Sequence, residues 1–159
     1  MPELPDDSPL LEAIRPAYKL ARLLGLVLCV AWPLFLMVLV GVEAVRPGTA
    51  PAVGAARQVG YTFTALTFLS AAFVTWRSGR VLKGFKALDP TLRARTVLRE
   101  SLVYAAIFEL SCFWGLLYWM LVGRNAFQHV LTFMALTPLM FFLFVPRLDA
   151  WKVALERED

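Results

Sequence analysis

Residues 102–121 read LVYAAIFELSCFWGLLYWML, a run with one carboxylate, Glu109, and no Lys, Arg or His. A helix needs roughly 20 predominantly apolar residues to cross the hydrocarbon of a bilayer. The run is therefore a transmembrane helix, placed at 101–122. Three more stretches qualify on either side of it, at 23–45, 60–76 and 126–145. Pro47, Gly48, Pro51 and Gly54 between the first two mark a turn. Only Gly123, Arg124 and Asn125 separate the last two, which makes those helices antiparallel neighbours.

Composition agrees with this assignment. The chain of 159 residues is 59% apolar and 13% aromatic, with a mean hydropathy of +0.64. A water-soluble fold of this size cannot hide so much apolar surface, whereas a bilayer solvates it. The expected fold is all-α and polytopic: a four-helix transmembrane domain over 23–146, between an N-terminal segment 1–22 and a C-terminal tail 147–159.

Direction follows from Lys and Arg, which accumulate in cytoplasmic loops. Arg15, Lys19 and Arg22 precede the first span. Arg77, Arg80, Lys83, Lys86, Arg93, Arg95 and Arg99 lie between the second and third, and Arg147, Lys152 and Arg157 follow the fourth. The other side has Arg46, Arg57 and Arg124, so thirteen cations face three. Both termini and the 77–100 connection are expected in the cytoplasm of a cell with an inner membrane. Tyr61 and Trp119 at the outer side, and Trp76 and Trp151 at the inner, fit interfacial anchoring. Glu3, Asp6, Asp7 and Glu12 argue against a cleavable signal peptide.

The 77–100 connection reads as a helical hairpin extending the second and third helices. Val81, Phe85 and Leu88 share one face, and Arg80, Lys83 and Lys86 take the other. Asp89 suits an N-cap and Pro90 a first helical position. With Arg93 and Arg95, these cations form a basic surface suited to anionic lipid headgroups. A docking surface for an acidic partner is the alternative. The net charge of +4 does not point to nucleic acid, because the cations flank apolar spans and no zinc-finger, RRM or helix-turn-helix signature is present.

Glu109 is the residue most costly to place in lipid, and such residues are functional candidates by default. It lies ~13 Å from the boundary near Glu100 at ~1.5 Å per residue. At that depth fall Phe68, Ala31 and Thr137. Thr64, Thr67, Ala71 and Thr75, with Ser70 nearby, form a hydroxyl stripe on the second helix that Glu109 is expected to meet. Pro33 and Pro138 free the carbonyls of Cys29 and Met134 and predict two kinks around this layer. The candidate site is Glu109 with Thr67, Ser70 and Thr137, either binding a proton or cation or joining helices. Ser101, Ala105 and Cys112 make a small-residue face, with Ser111 and Gly115 on its margin, permitting close helix approach.

Cys29 and Cys112 lie in apolar runs without CxxC spacing and read as buried structural thiols. His129 has no second histidine for bis-histidine haem ligation. It reads as an interfacial polar residue, and Glu43 as a partner of Arg46 or of water. No cofactor and no metal are expected.

Gly79, Gly84, the polar loop with Pro90, and Glu109 followed by Gly115 and Leu116 resemble in part the helical hairpin of the rotor proteolipids of ATP synthases. There such a carboxylate is the ion site. The likeness spans barely a third of the chain, and TFTALTFLSAAFVTW at 62–76 lacks that family's glycine ladder. The small multidrug-resistance exporters also have four spans and one membrane carboxylate, but theirs is in the first helix. Neither resemblance assigns a family.

HExxH, a Ser-His-Asp arrangement, paired intramembrane aspartates, a dithiol and a phosphate loop are all missing from the sequence. The expectation is a non-enzymatic accessory or structural subunit of a membrane assembly, or a homo-oligomer. The alternative is a proton- or cation-coupled transporter or channel using Glu109.

Overall fold

The structure, a computed structural model, describes residues 9–49 and 53–156; Glu3, Asp6, Asp7, Pro51 and Arg157 lie outside the described residues. Among these residues every regular element is helical. Helix α1 spans Pro9–Leu26 and continues through a π-helical turn, Val27–Ala31, into α2, Trp32–Gly41. Then follow α3, Val53–Gly84, and α4, Pro90–Val122. A 3-10 turn, Gly123–Ala126, leads to α5, Phe127–Phe144, and then to α6, Leu148–Glu156.

Three stretches are long and apolar enough to cross a membrane: Leu11–Gly41, Gly54–Gly84 and Pro90–Glu156. The third is not straight. Ser111 donates to the Phe133 carbonyl at 2.8 Å and Thr137 to the Phe108 carbonyl at 3.2 Å. Numbers rise along α4 as they fall along α5, so the two helices are antiparallel. Helix α1 runs parallel to α4, as the Cys29 thiol on the Ala105 carbonyl and the Trp119 indole on the Val45 carbonyl require.

Helix α4 is the centre. It packs against α1, α3 and α5, whereas α3 shares no packed face with α1 or α2. Small residues explain the close neighbours. Added to Gly115, a Cβ would lie 3.1 Å from the Phe133 Cβ and the Val130 carbonyl, so α5 approaches on the Ser111 and Gly115 margin. Ala105 and Cys112, both buried, receive α1.

The α1–α2 rod has a register problem that the π turn solves. Its buried residues are Leu11, Ile14, Ala21, Gly25, Cys29, Pro33, Leu36 and Val40. A regular helix keeps one face buried with alternating steps of three and four, but 21, 25, 29 and 33 are successive steps of four. One residue must be absorbed, and a π turn with its i→i+5 bonds does so. The Trp32 N–H reaches the Val27 carbonyl, and Pro33 has no N–H to restore the α pattern. The kink expected at Pro33 is thus a π-helix, while α5 stays α-helical through Pro138.

The end where α1 begins, α3 meets α4 and α6 lies is called basal here; the end with the α2–α3 and α4–α5 connections is apical. A separate basal core joins Leu11, Ile14, Phe85, Val97, Trp151, Ala154 and Leu155. One expectation is corrected by it. Within the C-terminal tail, α6 packs into this core through Trp151, Ala154 and Leu155. Trp151 is not an interfacial anchor: it is fully buried with its ring 4.7 Å from that of Phe85. Trp119 is also buried, its indole held by Val45, while Tyr61 and Trp76 do face outward. Asp89 occupies the N-cap of α4, with Pro90 following, but its side chain makes no capping bond.

Candidate functional site

Glu109 stands at the seam of α4 with the π turn. On α4 it lies between Ala105 and Cys112, which face α1, and Ala106, Leu110 and Phe113, which are exposed. The carboxyl is half-buried. The Cys112 thiol is within hydrogen-bonding reach of it and Cys29 approaches from the π turn. One oxygen, Oε2, is buried with no hydrogen-bond partner. Leaving a buried polar atom unpaired costs about 1–3 kcal/mol, so this atom is one of the places where the bundle bears such a cost.

The hydroxyls expected around Glu109 are placed otherwise. Thr64, Thr67, Ser70 and Thr75 donate to the carbonyls of Gly60, Phe63, Leu66 and Ala71, one turn back on their own helix. Thr67 is buried against α4, and Ser70 borders the outer α3–α4 groove. Thr137 alone shares the Glu109 layer, and its hydroxyl is taken by the adjoining Phe108 carbonyl. Rotation of α4 explains the difference, since Glu109 turns toward α1 rather than α3.

A second polar layer lies at the basal end, where Glu100 marks a span boundary in the sequence. Arg77 on α3 and Glu100 on α4 form a two-pronged pair, with Nε–Oε2 at 2.8 Å and Nη2–Oε1 at 2.9 Å. The Glu100 side chain is 7% exposed and that of Arg77 34%. Tyr104, one turn along from Glu100, is fully buried with its hydroxyl near this pair yet unbonded, and the Ser101 hydroxyl is also buried and unpaired. Arg22 lies over the rings of Phe141 and Phe142 at 4.9 and 5.2 Å, with Nη1 buried and unpaired. The i, i+4 spacing of Glu100 and Tyr104 was the available signal.

Basic residues of the hairpin are not equivalent. Arg93 donates to the Lys86 carbonyl at 2.8 Å and helps close the connection. Arg80 lies 4.5 Å over the Trp76 ring, a cation–π contact. Lys83, Lys86 and Arg95 are exposed.

At the apical end Glu43 pairs with Arg124, not with Arg46. Arg124 Nε is 2.6 Å from Glu43 Oε1, and its Nη2 bonds Oε2. Glu43 lies beyond α2 with φ 55°, a left-handed conformation for a residue with a Cβ. The Arg124 bonds hold its carboxyl below the usual carboxylate range. Gly48 and Gly123 make the loop contact here, the Gly48 N–H meeting the Trp119 carbonyl at 3.1 Å. Gly123 has φ 75°, and a Cβ on it would overlap the Gly48 backbone.

Among the described residues no group of three His, Cys, Asp or Glu side chains is arranged to hold a metal ion. Comparison of the chain with protein-family models, with curated proteins and with solved structures gives no match.

Proposed function

We propose that this is a multi-pass protein of a cell inner membrane, crossing the bilayer four times with both termini and the 77–100 hairpin in the cytoplasm. Its role is that of a non-enzymatic accessory or structural subunit of a membrane assembly, or of a homo-oligomer. The charge asymmetry supports the orientation. The separate lengths of α4 and α5 support two crossings within the third apolar stretch. A cysteine replacing Arg46 and another replacing Asp149 should be labelled from opposite and same sides, respectively, relative to the C-terminus in sealed vesicles.

The open side of α4 carries the assembly reading. Helices α1 and α3 flank α4 without packing on each other, leaving a concave strip that includes Leu110, Phe113 and Trp114. A cavity of about 310 Å³ lies along its α3 side, and Glu109 lies on the α1 margin. Lipid tails solvate apolar residues as well as a protein helix does, so apolar surface alone does not drive association in a bilayer. A half-buried carboxyl on an open helix face does favour a helix bearing a polar partner. Glu109→Gln should stay folded and lose its co-purifying subunit or its oligomer in mild detergent. Retention of both would remove this role.

The same carboxyl, beside a π turn, favours one second reading, a proton- or cation-coupled transporter or channel; π turns recur at functional sites. Thr137 is the neighbour in its layer, with Thr67 and Ser70 further round the bundle. Flux through proteoliposomes that is unchanged in Glu109→Gln eliminates it. On the cytoplasmic side, anionic headgroups are the expected contact of Arg80, Lys83, Lys86, Arg93 and Arg95. Replacing Lys83, Lys86, Arg93 and Arg95 by Gln should weaken liposome binding in a salt-sensitive way.

A further inference from the structure

The apical end has a cation without a counter-ion. Helix α3 begins at Val53 and α5 at Phe127, which brings Arg57, Gly60, Tyr61, Thr64, Tyr118, His129 and Phe133 around a cavity of about 340 Å³. Arg57 donates from Nε to the Tyr61 hydroxyl at 3.0 Å, with its guanidinium 5.6 Å from the Tyr61 ring. That contact orients the fork and leaves the two terminal nitrogens directed to no protein acceptor. The Tyr118 hydroxyl is occupied by the Ala56 carbonyl at 3.0 Å, and its ring meets His129 edge-on at 6.4 Å. Imidazole nitrogens of His129 have no hydrogen bond among the described residues. Thr64 donates to its own helix and lines the cavity with Phe133.

Among the described residues no acid is available to Arg57. Between Ala44 and Phe108 on the apical half, and from Leu110 to Leu148, the sequence places no Asp or Glu near this end. The one apical carboxylate, Glu43, is held by Arg124. A guanidinium at a membrane surface, where the dielectric falls, is stabilised by an anion, and its planar fork matches phosphate oxygens. The cavity combines this cation and a second nitrogen donor with the apolar rings of Tyr118 and Phe133. A water-borne anion would need only the first two features.

We propose that this pocket binds the phosphate of an anionic phospholipid, with Arg57 bonding the phosphate oxygens, His129 donating a further hydrogen bond, and an acyl chain descending past Thr64 and Phe133. The site is independent of Glu109 and of which membrane face the apical end occupies.

Native mass spectrometry of the full chain, released from detergent with equimolar phosphatidylglycerol and phosphatidylcholine, tests it. One phosphatidylglycerol should be retained per chain in preference to phosphatidylcholine. Arg57→Gln should lower that retention about tenfold, Arg57→Lys should restore part of it, and Arg46→Gln, outside the cavity, should leave it unchanged. Helical circular dichroism equal to that of the parent chain verifies that Arg57→Gln is folded; if it is not, His129→Gln supplies the same comparison with a smaller loss. Equal retention of the two lipids, or no change in the Arg57 and His129 variants, overturns the proposal. Displacement of the lipid by millimolar inorganic phosphate would assign the pocket to a soluble anion instead and overturn it too.

Discussion

Glu100 and Glu109 stand on one helix and are both drawn out of water, yet their surroundings differ in kind. Glu100 meets Arg77 across the α3–α4 hairpin through two parallel bonds. Glu109 has a weak thiol neighbour and a buried oxygen with nothing to accept from. Helix rotation separates them: Glu100 turns to α3, which brings an arginine, and Glu109 to the α1 π turn, which brings a cysteine. One carboxylate fastens the basal end of the bundle, and the other has an oxygen that no side chain of the described residues meets.

The comparison breaks most visibly at Arg77. Arg77→Ala strands Glu100 and should cost about 2 kcal/mol in reversible unfolding in mixed micelles, less than the ~3–5 kcal/mol of a fully buried pair because Arg77 is 34% exposed. Glu100→Gln should cost less, since it leaves the partly exposed Arg77 to solvent.

Glu109→Gln should change stability by less than about 1 kcal/mol, because no partner loses a bond. A cost equal to that of Arg77→Ala would show that Glu109 is paired and would end the contrast.

Deleting Val30 sharpens the Glu109 side. The buried positions would then follow steps of four, four, three, three and four, the period of a regular α-helix, so α1 and α2 should fuse into one α-helix with stability within ~1 kcal/mol of the parent. Any assembly or flux that depends on the π turn should vanish, while deletion of Leu23 should unfold the rod.

The smallest effect belongs to Glu43. Its carboxyl is held below its usual value by Arg124, so its contribution is present above the unfolded-state pKa and is lost as pH falls through the lowered folded-state value. Glu43→Gln should lower stability slightly at neutral pH and flatten that acid limb, so that the two chains converge as pH falls.

Much of this was legible in advance, and the omissions have specific causes. Glu109 was found because a lone carboxylate in an apolar run is conspicuous. The Asp89-Pro90 helix start was marked by Pro chemistry. Arg77 and Glu100 looked like ordinary boundary charges, because their pairing depends on the register of two helices whose hairpin closes at 85–89. Helix α6 carried a signal in Leu148, Trp151 and Leu155, spaced for one helical face, but a short terminal segment near the membrane suits Trp anchoring equally well. Thr67 and Ser70 were matched to Glu109 by depth alone, and depth carries no information on rotation.

That last point divides what the chain states from what the fold decides. Apolar runs of sufficient length dictate helices that can span a bilayer, because in hydrocarbon each backbone N–H and carbonyl must find its partner within the segment. Hydropathy does not say which face of a helix meets which neighbour, since lipid accepts an apolar face as readily as protein does. The seating of α1 on Ala105 and Cys112, the π turn opposite Glu109 and the Arg77–Glu100 clasp were decided by close packing between helices. Side-chain volumes and a few polar atoms, rather than hydrophobicity, set those contacts.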